Sequence, residues 1–278
     1  MEFTLGLAQC RYPKGYAWED AAELVERWCA RARDAQVDLL VFPESLMTRY
    51  SRKHHAFLEA PQTLDGPFCC SVDALAVRYG MWIAYTLNEV NSQGEDGGGA
   101  ATREGKPFNT AVLVDGKGVR RGSYRKAHLF DSRFTQESSR MAPGDGLFEP
   151  VSTPFGTIGL AICYDLRFPE VARYEALRGC DLFVLPAAWV EGDGPRKAEQ
   201  WKTLLAARAI ENQMFVAGAT LAGEGLIGQS CVFGPDGSLL AGAGRDEELV
   251  VARIDTSSLA ALRAATPVFS HRRPALYS

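Results

Sequence analysis

Three segments carry residues that together could break an acyl bond: Glu44 in DLLVFPES, Lys126 in GSYRKAHLF and Cys163 in TIGLAICYDLRFPE. A thiol can form a covalent thioester. A carboxylate can move the proton, and an ammonium can hold the oxyanion that develops. Cys163 is the most informative of the three. An apolar, strand-like run ends at it, the polar pair Tyr164-Asp165 follows, and a helical pattern begins near Arg167. That arrangement predicts a thiol at a sheet edge, beside free backbone N–H groups. A helix N-terminus there would lower its pKa.

Each residue also has a plainer reading. A cysteine taken at random is more often a buried structural residue, and on residue types alone the two readings of Cys163 are even. Glu44 could be a capping or surface carboxylate; at the end of a buried strand, desolvation would raise its pKa and suit it as a general base. Lys126 lies in YRKAH, which reads equally as a solvated basic patch. Glu137 sits in a long polar loop, where glutamates are commonly solvated. His128 invites a cysteine–histidine dyad, but a structural histidine holding a neighbouring loop is the better reading. His54 and His55 are expected to be exposed. Arg167 suits bidentate binding of a substrate carboxylate, or a glutamate inside the fold.

The elements that must place these residues are ordinary ones. The chain has 278 residues, 46% hydrophobic and 23% charged, with a net charge of −4. This is the composition of a globular protein with a substantial core. No basic run suggests nucleic acid, and no apolar run approaches a membrane span. The start, MEFTLGLAQC, reads as a first strand rather than a signal peptide, so a cytoplasmic location is expected. Seven cysteines without paired spacing argue against a disulfide framework or a zinc site.

Periodicity predicts helices over 17–36, 68–79 (capped by Gly80), 168–178 (stopped by Gly179), 197–211 and 257–265. Strands are expected at 3–9, 38–42, 81–87, 108–114, 119–124, 181–187, 214–220 and 248–254. Two more bracket Pro154-Phe155-Gly156, and a hairpin runs from 229 to 241. Residues 45–65 read as irregular, 91–106 as an exposed hairpin loop, 127–148 as a long loop of functional length, and the tail as extended. Strands joined partly by hairpins and partly through helices imply mixed sheets with helices packed on them. That is an α/β chain folding as one domain over residues 1–278.

FPES, YRKAHLF and ICYDLRFPE, in this order and spacing, resemble the carbon–nitrogen hydrolase (nitrilase) superfamily. LLAARAIENQMFVAGAT, GQSCVFGPDGSLLA and PVFSHRRPALYS extend the likeness over almost the whole chain. The resemblance implies a four-layer αββα sandwich, a Glu44-Lys126-Cys163 catalytic set and no metal or organic cofactor. It implies a second glutamate at Glu137, in TQES. It also implies a homodimer, with the tail 266–278 at its interface. Tyr164-Asp165 after the cysteine is similar to the amidase-type branch, with likeness to omega-amidase and deaminated glutathione amidase; true nitrilases carry a tryptophan–glutamate pair there. The expected substrate is a small carboxylate-bearing amide that releases ammonia, with Tyr164, Arg167 and Trp189 (closing AAW) as its binding residues. GDGPRKAEQWK stands where animal relatives have TGPAHWE, on a segment that borders the family's substrate pocket. An N-carbamoyl amide hydrolase, a nitrilase, a non-catalytic scaffold and a redox-sensing thiol are the alternatives.

Overall fold

The computed structural model describes residues 1–12, 17–48, 50–51, 56–57, 60–91, 105–133, 135–192 and 196–276. In chain order its elements are β1 (Glu2–Gln9), α1 (Trp18–Asp34), β2 (Leu39–Val41), β3 (Tyr50–Ser51), β4 (Ala56–Phe57), α2 (Pro67–Tyr79), β5 (Trp82–Glu89), β6 (Phe108–Val114) and β7 (Arg120–Arg125). The second half holds β8 (Val151–Thr153), β9 (Gly156–Leu160), α3 (Pro169–Ala176), β10 (Leu182–Ala187), α4 (Lys197–Asn212), β11 (Phe215–Thr220), β12 (Cys231–Phe233), β13 (Leu239–Gly242), β14 (Glu248–Asp255) and α5 (Ser258–Ala265).

The strands form two six-stranded sheets, ordered β14-β1-β2-β5-β6-β7 and β13-β12-β11-β10-β9-β8. Both are mixed. β1-β2-β5 and β9-β10-β11 run parallel, and hairpin or edge strands flank them antiparallel. One core lies between the sheets, where Leu5, Leu7, Leu39 and Leu113 meet Leu160, Val184 and Ala217. α1 and α2 cover the outer face of the first sheet through Leu24, Val25, Trp28, Phe68 and Val72. α3 and α4 cover the second sheet through Val171, Ala172, Trp201 and Leu205. The layers therefore run αββα. Strands covered on both faces read as near-continuous apolar runs, as DLLVF and DLFVLPA do.

The α1 stripe Ala21, Leu24, Val25, Trp28 and Ala32 recurs at helical spacing and is buried. α2 ends at Gly80 with φ +61°, a left-handed conformation that glycine adopts without strain. α4 sits close on the second sheet because Gly218 has no side chain; a Cβ there would lie 2.4 Å from the Trp201 ring.

Element positions follow expectation with local exceptions. β3 and β4 pair within the stretch read as irregular. β9 ends at Leu160, so Cys163 stands beyond the strand in a 3-10 turn, Cys163–Arg167. α3 starts only at Pro169, whose fixed φ suits the first helical position. The loop after β7 holds a 3-10 turn at Glu137–Ser139, and the tail holds another at Pro274–Leu276. His54, His55 and residues 92–104 of the expected hairpin loop lie outside the described residues.

Candidate active site

β2, β5, β7, β9 and β10 all point their C-terminal ends toward one edge of the sandwich. Ligands of parallel sheets gather at that edge. Glu44 follows β2, Lys126 follows β7, Cys163 follows β9, and Ala188-Trp189 follow β10. The two sheets are joined there by the Glu44 N–H donating to Ala187 O at 3.3 Å. A cavity of about 310 Å³ opens at this edge, lined by Glu44, Lys126, Glu137, Cys163, Tyr164, Arg167 and Trp189 among others. The structure thus brings Glu44, Lys126, Glu137, Cys163, Tyr164, Arg167 and Trp189 to one cavity, whose lining does not include His128.

Lys126 is 2% exposed, Glu44 5%, Glu137 7% and Cys163 9%, so these groups act on one another with little water between them. The Lys126 ammonium donates to Glu44 Oε1 at 2.9 Å and to both Glu137 oxygens at 2.8 and 3.0 Å. Lys126 is therefore not part of a solvated patch. Glu44 Oε1 also accepts from Asn109 Nδ2 at 2.7 Å, and its Oε2 from the Ala188 N–H at 2.9 Å. Glu137 accepts in addition from the Phe130 N–H at 2.6 Å. The Cys163 thiol lines the same cavity and feels the Glu44 and Lys126 charges.

These contacts set the protonation pattern. Burial pushes the Glu44 carboxyl up. The Lys126 ammonium, with hydrogen bonds from Lys126, Cys163 and Ala188, outweighs burial and holds the pKa below its ordinary value. This corrects the expected rise. Burial also works against the Lys126 ammonium, yet Glu44, Glu137 and Cys163 hold its pKa well above the usual lysine value. Burial and then the Glu44 charge push the Cys163 thiol well up, and Lys126 offsets only part of that. A thiol lowered by a helix N-terminus is thus not what the fold builds. α3 begins six residues further on, and two carboxylates outnumber the one nearby ammonium.

Cys163 has φ +47°, a left-handed backbone that costs a non-glycine residue of order 1–3 kcal/mol. Asp165, fully buried, holds the turn in that shape. Its Oδ2 accepts from the Ile162 N–H at 2.9 Å and the Tyr124 hydroxyl at 2.8 Å. Its Oδ1 accepts from the His128 N–H at 3.1 Å and faces His128 Nδ1 at 2.8 Å. His128 stacks on Phe168 with ring centroids 3.7 Å apart. It is the structural histidine expected from the sequence. From α4, buried Arg208 donates to Leu166 O at 2.9 and 3.2 Å.

Arg167 donates to Gln200 Oε1 at 2.8 Å, and its guanidinium lies 5.2 Å from the Trp189 ring centroid. Among the described residues it pairs with no glutamate. Sequence reasoning missed Asn109, Asp165, Arg208 and the Ala188 N–H. Asn109 had a visible signal, since Asn88 and Asn109 interrupt apolar strands and stand opposite each other in the β5–β6 register. Among the described residues no group of three or more His, Cys, Asp or Glu could hold a metal ion, and no helix is long and apolar enough to cross a membrane.

The arrangement is a buried thiol against an ionised carboxylate, with a fixed ammonium alongside. The family model for carbon-nitrogen hydrolases matches residues 4–264. A deaminated glutathione amidase from Escherichia coli O157:H7 is 34% identical over 256 residues, 92% of each chain. The omega-amidase NIT2 from Homo sapiens is 34% identical over 269 residues, 91% of each chain. A carbon-nitrogen hydrolase structure from Helicobacter pylori G27 superposes with a TM-score of 0.84 at 25% identity, covering all of this chain and 97% of the other. With three independent motifs placed around one cavity and a family match over nearly its full length, the chain belongs to the carbon-nitrogen hydrolase family.

Proposed function

We propose that the protein is an amidase that hydrolyses a small, carboxylate-bearing linear amide through a thioester on Cys163, in the manner of an omega-amidase. The observation that carries this reading is the buried Glu44–Lys126–Glu137 hydrogen-bond set, which shares one cavity with the Cys163 thiol and Arg167. Glu44 is the base and Cys163 the nucleophile. As sulfur attacks the amide carbon, the thiol proton passes to Glu44. Lys126 and the Tyr164 N–H hold the oxyanion. Glu44 then gives its proton to the departing nitrogen, ammonia leaves, and the acyl group stays on sulfur. Glu44 next takes a proton from water as the water attacks the thioester. Collapse releases the carboxylic acid, and Glu44 returns the proton to sulfur. Glu137 keeps Lys126 aimed at the reaction. Tyr164, Arg167 and Trp189 bind substrate, Arg167 through its distal carboxylate.

The names of the E. coli and human relatives support an amide rather than a nitrile substrate. A cavity near the lower end of the 300–1,000 Å³ range of ligand pockets suits a short chain such as 2-oxoglutaramate or 2-oxosuccinamate better than deaminated glutathione. Seven free cysteines support a reducing, cytoplasmic location. A single domain that pairs as a homodimer completes the reading. The test is ammonia release from 2-oxoglutaramate, 2-oxosuccinamate, deaminated glutathione, an N-carbamoyl amino acid and a nitrile, wild type beside Cys163→Ala. Release from a short dicarboxylate monoamide, abolished in the variant, is expected. Exclusive release from another member of the panel would overturn the substrate, and release surviving the mutation would overturn the nucleophile.

A further inference from the structure

The cavity is polarised. Two carboxylates, Glu44 and Glu137, share the single ammonium of Lys126, so this part carries excess negative charge. Elsewhere its lining holds Arg140, Arg167 and Lys197. Arg140 already serves Asp131, whose pKa it helps to lower. Arg167 and Lys197 differ. Arg167 spends a donor on the neutral amide of Gln200, and the Lys197 ammonium lies 5.8 Å from the Phe130 ring. Neither has a carboxylate partner among the described residues.

The position of Lys197 is costly on its own account. It is the first residue of α4, which has no side-chain cap. A cation there faces the positive end of the helix dipole. The same cavity is lined by two buried donors that lack an acceptor. Trp189 Nε1 belongs to a residue 5% exposed, and Asn88 Nδ2 to one 4% exposed. Unmet buried donors cost of order 1–3 kcal/mol each. Cations from two different elements, together with orphaned N–H groups, are a lining that an oxygen-rich anion would complete.

We propose that Lys197 is a specificity-determining residue, closing with Arg167 as a two-cation clamp on the distal carboxylate of the amide substrate, with Trp189 Nε1 as an added donor. The idea rests on the amidase reading above and names a residue that reading does not use. Lys197 lies in the stretch where this chain departs from TGPAHWE.

The test compares two amides of equal length, succinamate and 4-oxopentanamide, in which a methyl ketone replaces the carboxylate. The readout is the ratio of their kcat/KM values in wild type, Lys197→Gln and Lys197→Arg. Wild type should favour succinamate. Lys197→Gln should cut that ratio about 10- to 100-fold, mainly through KM, the scale of a lost hydrogen bond to a charged group. Lys197→Arg should recover most of it. An unchanged ratio in Lys197→Gln, with a thermal midpoint matching wild type, would overturn the clamp. Failure of wild type to release ammonia from either amide would instead overturn the amidase reading.

Discussion

Lys126 fixes how the site holds its protons. Its ammonium binds two carboxylates, and its charge keeps Glu44 ionised while the Cys163 thiol stays protonated. The base is thus charged before substrate arrives, and the thiolate forms only as it attacks. Glu44 has a lowered folded pKa, so its contribution is present above the unfolded value and is lost only as pH falls through the folded one. Lys126 has a raised folded pKa, so its contribution persists below the unfolded value and is lost only as pH rises beyond the ordinary lysine range. The kcat/KM profile for amide hydrolysis should therefore be flat across neutral pH, without the limb near 6.5 that a catalytic histidine would give. Glu44→Gln should lower kcat/KM by about 10³-fold, the middle of the range for a general base. A limb near pH 6.5, or a loss under tenfold in Glu44→Gln, would refute Glu44 as the base. The residue types for this chemistry could be read in FPES, YRK and CYD. The direction of the pKa shifts could not, because they depend on residues 44, 126, 137 and 163 meeting across two sheets.

The five-residue turn Cys163–Arg167 is the element on which the proposed nucleophile depends, and its own Asp165 holds it in shape only through partners outside the turn. Cys163 at φ +47° is strained, and the opposing grip comes from Asp165, Tyr124, His128 and Arg208. Asp165 is the hub because both of its oxygens are filled by donors from two chain segments. Asp165→Asn would turn an NH2 toward a donor, leaving buried N–H or O–H groups unmet. A stability loss of about 2–3 kcal/mol is expected. A fall in kcat much larger than the change in KM should accompany it, because the turn would no longer present the sulfur. Denaturant unfolding and steady-state kinetics check both. Lower stability with unchanged kcat would mean that Asp165 supports the fold but not the nucleophile. Strand-to-turn patterning located this turn in the sequence to within a few residues. Of its partners only His128 reads as structural in the sequence; Tyr124, about forty residues upstream, and Arg208, on a separate helix, were invisible.

Layer order suggests where the proposed homodimer would pair. Of its large apolar side chains α2 leaves only Val77 exposed, whereas the α3–α4 layer leaves Leu177 and Ile210 half-exposed and lies beside the tail, where Leu276 is more exposed still. The tail runs back over this same layer: Gln213 Nε2 donates to Thr266 O at 2.8 Å, and the Arg173 guanidinium lies 5.5 Å from the Phe269 ring. Phe269 also packs against the core. A second copy laid against α3 and α4 would cover these side chains and stack two sandwiches into eight layers. The alternation of strands and helices made mixed sheets with helices packed on them legible in the sequence, and the four-layer order came from the family resemblance. The outward face of a helix was not, since Ile210 looks like any other apolar residue in AARAIENQ. Light scattering should give the mass of a dimer at micromolar concentration. Truncation after Thr266 should shift the population toward monomer, because it removes Phe269 and Leu276 from a contact that needs about 1,200 Å² or more to persist. The charge substitution Ile210→Lys should do the same with the tail intact. A wild-type monomer, or variants that remain fully dimeric, would place the interface elsewhere or remove it. The cavity lies at the ends of the strands, away from the outward faces of α3 and α4, so the truncated monomer should keep its kcat on short amides within a few-fold.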